Sequence, residues 1–168
     1  MTVPILRTDR LILRGHAPGD LDELTAMWGD PAVYAMIGGV PRSREDVWLR
    51  LLRSVGQWQL FGYGSWVLRN ADGVLVGEAG LLESRRAIDP PLAWPEMGWA
   101  LAPAAHGKGY AAEALAAILA WATGQGIART TCIIDPGNAP SRRLAARLGY
   151  VEVREARYRD HPTLVFER

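Results

Sequence analysis

Cysteine is nearly absent. The single one, Cys132, excludes an internal disulfide and any metal site built from several thiolates. It lies in an apolar, β-branched run, where a thiol is ordinarily a buried small hydrophobe and not a nucleophile. Long hydrophobic runs are missing as well. No apolar stretch approaches the ~18 residues of a membrane helix, and Met1 to Arg10 lacks the apolar core of a leader, so no membrane partner is expected and the setting reads as cytoplasmic. Nor is there an excess of one charge. Against 18 acidic residues stand 19 basic ones, a net charge of +1, which gives no electrostatic reason to expect nucleic acid. Among the three histidines, His16 and His161 stand isolated from other ligand types, so no metal is expected. Lysine is as scarce as cysteine: the only one is Lys108.

What is present suits a single α/β domain over residues 1–168, long enough to bury roughly 70% of its unfolded surface. Arg10 to Arg14 reads as a first strand. Asp20 with Glu23 resembles a capping box opening a helix through Leu21, Leu24 and Met27, and Ser43 with Asp46 opens another along Val47, Leu51, Leu52 and Val55. The period then changes. Tyr63 to Arg69, the turn Asn70 to Gly73, and Val74 to Leu82 read as a β-hairpin, and Glu96 to Leu101 as a third strand after the proline-rich loop Glu83 to Pro95. Tyr110 to Thr123 is an alanine-rich helix ended by Gly124 and Gly126, with Ala111, Leu115, Ile118, Leu119 and Ala122 on its apolar face. Arg129 to Ile134 is the next strand. Asn138 caps a helix that turns Leu144, Ala145 and Leu148 inward and stops at Gly149. Val151 to Val153 and Leu164 to Phe166 close a mixed, mostly antiparallel sheet flanked by helices.

The lone lysine marks the informative stretch, His106-Gly107-Lys108-Gly109-Tyr110-Ala111, between a strand and a helix. Glycines there let main-chain N–H groups point outward, and the helix start adds roughly half a positive charge. Such a turn suits a phosphate-bearing ligand. A Walker-type loop fails twice, because Ala102 stands where its first glycine belongs and Gly109 follows the lysine. Gly107-x-Gly109-x-x-Ala112, with Asp135 further on, approaches a dinucleotide fingerprint and hence an NAD-dependent oxidoreductase. Against it, Pro103 separates strand from glycines, and too little chain follows Asp135 for further parallel βα units.

The wider constellation carries a resemblance. Glu96-Met97-Gly98-Trp99-Ala100-Leu101-Ala102-Pro103, then His106 to Ala111, then Asn138-x-x-Ser141 with Leu148-Gly149-Tyr150, closely resembles the GNAT superfamily of acetyl-CoA-dependent N-acetyltransferases. Its pattern is similar to the branch containing the ribosomal-protein N-terminal acetyltransferases, and Thr8 to Arg14 is similar to that branch's first strand. The resemblance implies acetyl-CoA as co-substrate, an amine as acceptor, and central strands that splay apart to admit the pantetheine arm. The pyrophosphate turn, Gln/Arg-x-x-Gly-x-Gly/Ala, falls on His106-x-x-Gly109-x-Ala111, with His106 departing from the usual first residue. Gly107, Lys108 and Tyr110 lie within it. The backbone of Trp99 to Leu101 is implied to pair with pantetheine, and Asn138 to reach it. A non-catalytic CoA-binding sensor would keep the same turn, and either a monomer or a homodimer fits.

The implied reaction moves an acetyl group from a thioester to a neutral amine. Neutralising an alkyl ammonium at pH 7 costs about 4–5 kcal/mol, but an α-amine only about 1. Glu96, at the start of the strand beside the arm, is the first candidate base, Glu78 in its apolar strand the second, and water the third. Ser141 matches the serine used near the departing thiolate, or else makes a local helix-start bond. Tyr150 reads as core. Arg142 and Arg143 are candidates for the adenosine 3′-phosphate or for a solvated helix face, and Trp94 for acceptor contact.

Overall fold

One sheet of eight strands organises the chain, in the order β1-β2-β3-β4-β5-β6-β8-β7, and the computed structural model describes residues 2–168 of it. The strands are β1 (Leu6–Arg7), β2 (Leu11–Arg14), β3 (Ser65–Asn70), β4 (Leu75–Leu82), β5 (Glu96–Leu101), β6 (Thr131–Ile134), β7 (Val151–Tyr158) and β8 (His161–Glu167). The helices are α1 (Leu21–Trp28), α2 (Pro31–Tyr34), α3 (Arg44–Phe61), α4 (Tyr110–Gly124) and α5 (Ala139–Arg147). Every neighbouring pair is antiparallel except β5 and β6. A doubly wound dinucleotide fold needs the opposite, a mostly parallel sheet. The single α/β domain with splayed central strands is the observed architecture.

Alternation along the strands sorts side chains onto two faces. Met97, Leu101, Cys132 and Phe166 pack with Leu115, Ile118 and Leu119 of α4 and Ala145 of α5. Val67, Leu75 and Ala100 pack on the opposite side with Leu24, Met27 and Trp28 of α1 and Val47 of α3. Cys132 is fully buried, and burial pushes its thiol pKa up, as an inert core residue requires. Tyr150 is core too, its hydroxyl paired with Thr130 Oγ1 at 2.6 Å. Trp58, Trp66 and Trp121 meet edge to face, with centroids 4.6 to 5.5 Å apart. Any side chain at Gly64 would strike the Trp58 ring, so that cluster also fixes where β3 begins.

The helix starts divide the sequence expectations. Ser43 and Asp46 form the reciprocal capping box expected of α3. Along α3, however, Val47 and Leu51 are buried while Leu52 and Val55 face solvent, and Ser54, Gln57 and Trp58 take the inner positions. Asp20 makes no side-chain cap to α1. Instead its buried carboxylate accepts from the N–H of Ala17 and from the guanidinium groups of Arg14 and Arg69. The expected strand at Val151 extends through Tyr158, and its second half goes unmarked because four of its eight residues are charged. The short β1 and α2 were not expected either.

Burial alone would raise the Asp20 pKa. The bonds from Arg14, Arg69 and Ala17 outweigh it and hold the carboxyl well below the usual range. The stability contributed is therefore present above the ordinary carboxylate pKa and lost as pH falls toward the depressed value. Asp20→Asn should cost about 3 kcal/mol in urea unfolding at neutral pH, and the gap from the unmodified protein should narrow below about pH 4.

Candidate active site

β5 and β6 run parallel, yet they pair only at Glu96 with Thr131, where the Thr131 N–H donates to the Pro95 carbonyl at 2.9 Å. Beyond that point β5 stays bonded to β4 and β6 to β8, so a wedge opens between the two. Two local sequences keep it open. Pro103 and the short 3₁₀ turn it begins take the chain away after Leu101. Asp135-Pro136-Gly137 ends β6, with Asp135 Oδ1 accepting from the Gly137 N–H at 2.7 Å. The Ala102 N–H bonds to the Val76 carbonyl, which fixes the alternation along β5. By that alternation the main-chain groups of Trp99 and Leu101 face the wedge. The Leu101 carbonyl is taken, accepting at 2.9 Å from His106 Nε2, which must therefore carry the proton.

The glycine turn stands at the open end. Gly107 and Gly109 have φ of 71° and 79°, a left-handed region that other residues enter only with strain. Gly109 is the N-cap of α4 and provides no side-chain cap, and the first helical N–H with a partner is that of Glu113, bonded to the Gly109 carbonyl. The amides of Tyr110, Ala111 and Ala112 are thus the uncapped donors of a helix start. Lys108 and His106 are exposed beside them. Arg10 braces the turn from β2's approach: Nη1 donates to the Lys108 carbonyl at 2.9 Å, Nε to Glu113 at 2.7 Å, and the guanidinium lies 4.6 Å from the centre of the Tyr110 ring. Thr8 also donates to Glu113.

Across the wedge, Asn138 Oδ1 accepts from the Ser141 N–H at 3.2 Å, leaving the Asn138 amide NH₂ as a free donor type. The Ser141 hydroxyl has no protein partner among the described residues. Arg142 is directed elsewhere, to the Pro136 carbonyl at 3.3 Å and toward Glu152 at 3.6 Å.

On the α1/α3 face lie the two candidate carboxylates. Glu78 accepts from His16 Nε2, Trp28 Nε1 and Arg50 Nη2, each at 3.0 Å. Burial would raise its pKa, but the His16 bond and the Arg50 charge more than reverse that, and it titrates far below the usual range. His16, isolated in sequence, is thus a partner of Glu78. Glu96 is 4% exposed at the side chain and takes a two-pronged contact from Arg86, at 2.7 and 2.8 Å. Arg86 in turn lies over Tyr158 at 4.8 Å. Trp94 is partly exposed, holds Arg129 over its ring, and lines a 350 Å³ depression with Arg86 in the loop before β5.

Sequence reasoning missed Arg10, Arg86, Arg50 and His16. The only available signal was an unpaired acid inside an apolar strand, which already demanded partners for Glu78. Chemically, the arrangement offers a strand edge for an amide-containing chain, a phosphate seat at one end, and two arginine-paired carboxylates on the α1/α3 face.

The Acetyltransferase (GNAT) domain model matches residues 10–151. A putative GNAT-family acetyltransferase from Bordetella pertussis is 33% identical, with a TM-score of 0.85 over 98% of this chain and 99% of that one. An uncharacterised N-acetyltransferase, p20, from Bacillus licheniformis is 27% identical over 149 residues, covering 86% of this chain and 81% of its own. A ribosomal-protein alpha-N-acetyltransferase solved with coenzyme A shares the fold at a TM-score of 0.79, with 15% identity over 98% of this chain and 97% of that one.

The Arg86–Glu96 contact holds the loop before β5 to the start of that strand. Arg86→Met leaves a buried carboxylate without its cation, and melting at neutral pH should report a loss of about 3 kcal/mol. An unchanged melting temperature would mean that the contact contributes nothing net to stability.

Proposed function

This chain belongs to the GNAT acetyltransferases and performs acetyl-CoA-dependent N-acetyl transfer, and we propose that the wedge between β5 and β6 is where donor and acceptor meet. The observation that carries this reading is the single-pair contact of β5 with β6 beside an uncapped glycine turn. The amides from Gly107 to Ala111 bind the pyrophosphate, with His106 and Lys108 exposed alongside and Arg10 behind the turn. The pantetheine arm extends along β5 as an added strand, pairing with Trp99 and Leu101 and receiving a hydrogen bond from Asn138. His106, already bonded to the Leu101 carbonyl, leaves the Trp99 groups and the Leu101 N–H for that pairing. Arg142 keeps only a secondary role near the adenosine, because Glu152 competes for it.

The amine attacks the thioester carbonyl directly. An outward N–H of β5 polarises that carbonyl, and the C–S bond breaks as the C–N bond forms. Ser141, without a protein partner, donates its hydroxyl hydrogen bond to the departing thiolate. The amine's proton leaves through water ordered by Glu96. Glu78 titrates far below the usual range and both Glu96 oxygens are occupied by Arg86, so the proton leaves by way of water and the relay suits an amine of modest basicity. The sequence likeness to the ribosomal-protein branch supports a protein N-terminus or a small amine as acceptor.

Calorimetric titration with acetyl-CoA tests the seat. Gly109→Trp combines a strained backbone with bulk over the amides and should weaken binding by about tenfold or more; unchanged affinity would remove the assignment. For the chemistry, Ser141→Ala should lower kcat by about 10²-fold with acetyl-CoA affinity intact. Glu96→Gln should hurt most with acceptors of high pKa, whereas a flat response across acceptor pKa would assign the proton to water or Glu78.

A further inference from the structure

Five arginines gather near the two carboxylates of β4 and β5, and only two of them are ion-paired with those acids. Glu78 takes Arg50, and Glu96 takes Arg86. Arg53, on the same helix as Arg50, makes no ion pair, although the charges of Arg50, Glu78, Arg86 and Glu96 all act on it. Arg42 has no ion pair either. One of its amino groups reaches the Ile37 carbonyl at 3.5 Å, and its Nε is buried without an acceptor, as is that of Arg50. Arg159, in the β7–β8 turn, lies 5.3 Å from the centre of the Tyr158 ring that Arg86 also covers, and its charge acts on Arg42. Neighbouring acids do not repair the deficit. Asp46 is exposed and held by the Ser43 cap, while Asp160 offers Arg157 only its main-chain oxygen.

The loop that carries Arg42 also approaches the wedge. Met36 precedes Arg42 in the loop between α2 and α3, and its sulfur lies 3.8 Å from where a side chain on Gly137 would begin. That loop therefore reaches the turn that ends β6, and Arg42 sits in the wall it forms. Arg42 is half-buried, and Arg53 and Arg159 lie exposed around it; the half-buried cation without a counter-ion is the costly one, and an anion arriving with a ligand removes that cost. Arginine's planar fork suits an oxyanion of carboxylate shape.

We propose that Arg42, Arg53 and Arg159 form a subsite for an anionic group on the acceptor itself, so that the acceptor is an amine carrying a carboxylate close to the nitrogen. This rests on the reading of the wedge as the acetyl-transfer site. Two sources supply that chemistry: the α-carboxylate of a free amino acid, and an acidic side chain beside a peptide's N-terminus. The same cluster disfavours polyamines and aminoglycosides, whose charges it repels.

The test follows thiol release from acetyl-CoA with four kinds of acceptor: free amino acids, the same amino acids as carboxamides, peptides beginning with Asp or Glu against their Asn or Gln counterparts, and spermidine. The expected result is a kcat/KM at least about tenfold higher for the carboxylate-bearing member of one of the first two pairs, and which pair responds identifies the source. In Arg53→Gln and Arg42→Gln, KM for that acceptor should rise about tenfold while KM for acetyl-CoA stays unchanged. Carboxamides or spermidine used as well as the acids would overturn the subsite and leave N-acetyl transfer standing. Acetyl-CoA binding without thiol release in any arm would remove the catalytic reading and this inference together. The acceptor comparison uses the unmodified protein, so it decides even if a variant fails to fold.

Discussion

The structure depends on a ladder that starts and is not continued. β5 and β6 share one pair of residues and then part, and each is satisfied on its far side by a longer antiparallel partner. Parallel strands normally zip along their length, because an unpaired buried main-chain group costs about 1–3 kcal/mol. Here closure is blocked at both ends of the gap. Pro136, just past Asp135 at the end of β6, has no N–H to extend the ladder, while Pro103 diverts the chain after β5. His106 reduces the cost by bonding the Leu101 carbonyl from outside the sheet. What stays unmatched is a short stretch of strand edge, the feature an amide-bearing ligand can complete.

The glycine turn and the wedge are two results of one local path. The chain must reverse within a few residues of Leu101 and begin α4 with its first amides directed back over the gap. Two left-handed positions accomplish this, and both are glycine. The brace comes from far away in sequence: Thr8 and Arg10 hold Glu113 and the Lys108 carbonyl, tying β2's entry to the start of α4. Arginine fits a braced position because one planar group serves Glu113, a carbonyl and the Tyr110 ring at once. Lysine at 108 is different in kind. Its main-chain oxygen is held, but its side chain is a mobile point charge in solvent, suited to an anion whose position varies.

The legible parts of this fold were those with local causes. The turn, the helices on either side of the wedge, the Ser43–Asp46 box and the buried Cys132 and Tyr150 all follow from a few adjacent residues. The parts that were not legible involve distance. His16 and Glu78 are 62 residues apart, and neither carries a mark of the other. Arg86 lies in a proline-rich loop whose course no periodicity records, yet it is the partner of Glu96. Asp20 has the right residue type and place for a cap, but two arginines on the sheet compete successfully for its carboxylate. Leu52 and Val55 carry helical spacing onto the outer face because the inner one is filled by Trp58 and its hydrogen bond to Ser65. Only the start of β7 is marked in the sequence, because its charged residues are set among cross-strand partners and the pleat tolerates them on a half-exposed edge.

The charge pattern finally bears on how the reaction loses its proton. With Glu78 titrating far below the usual range and both Glu96 oxygens engaged by Arg86, neither carboxylate is free to take a proton directly, a handicap for deprotonating an ammonium. The same surplus of guanidinium charge supplies the remedy. An ammonium entering among unmatched cations is destabilised relative to the neutral amine, so its pKa falls, and each unit of lowering removes about 1.4 kcal/mol from the cost of the reactive form. A carboxylate on the acceptor would bind these arginines while its amine stands toward the thioester. Recognition and activation would then draw on one set of charges, and a weak relay through water would be sufficient base.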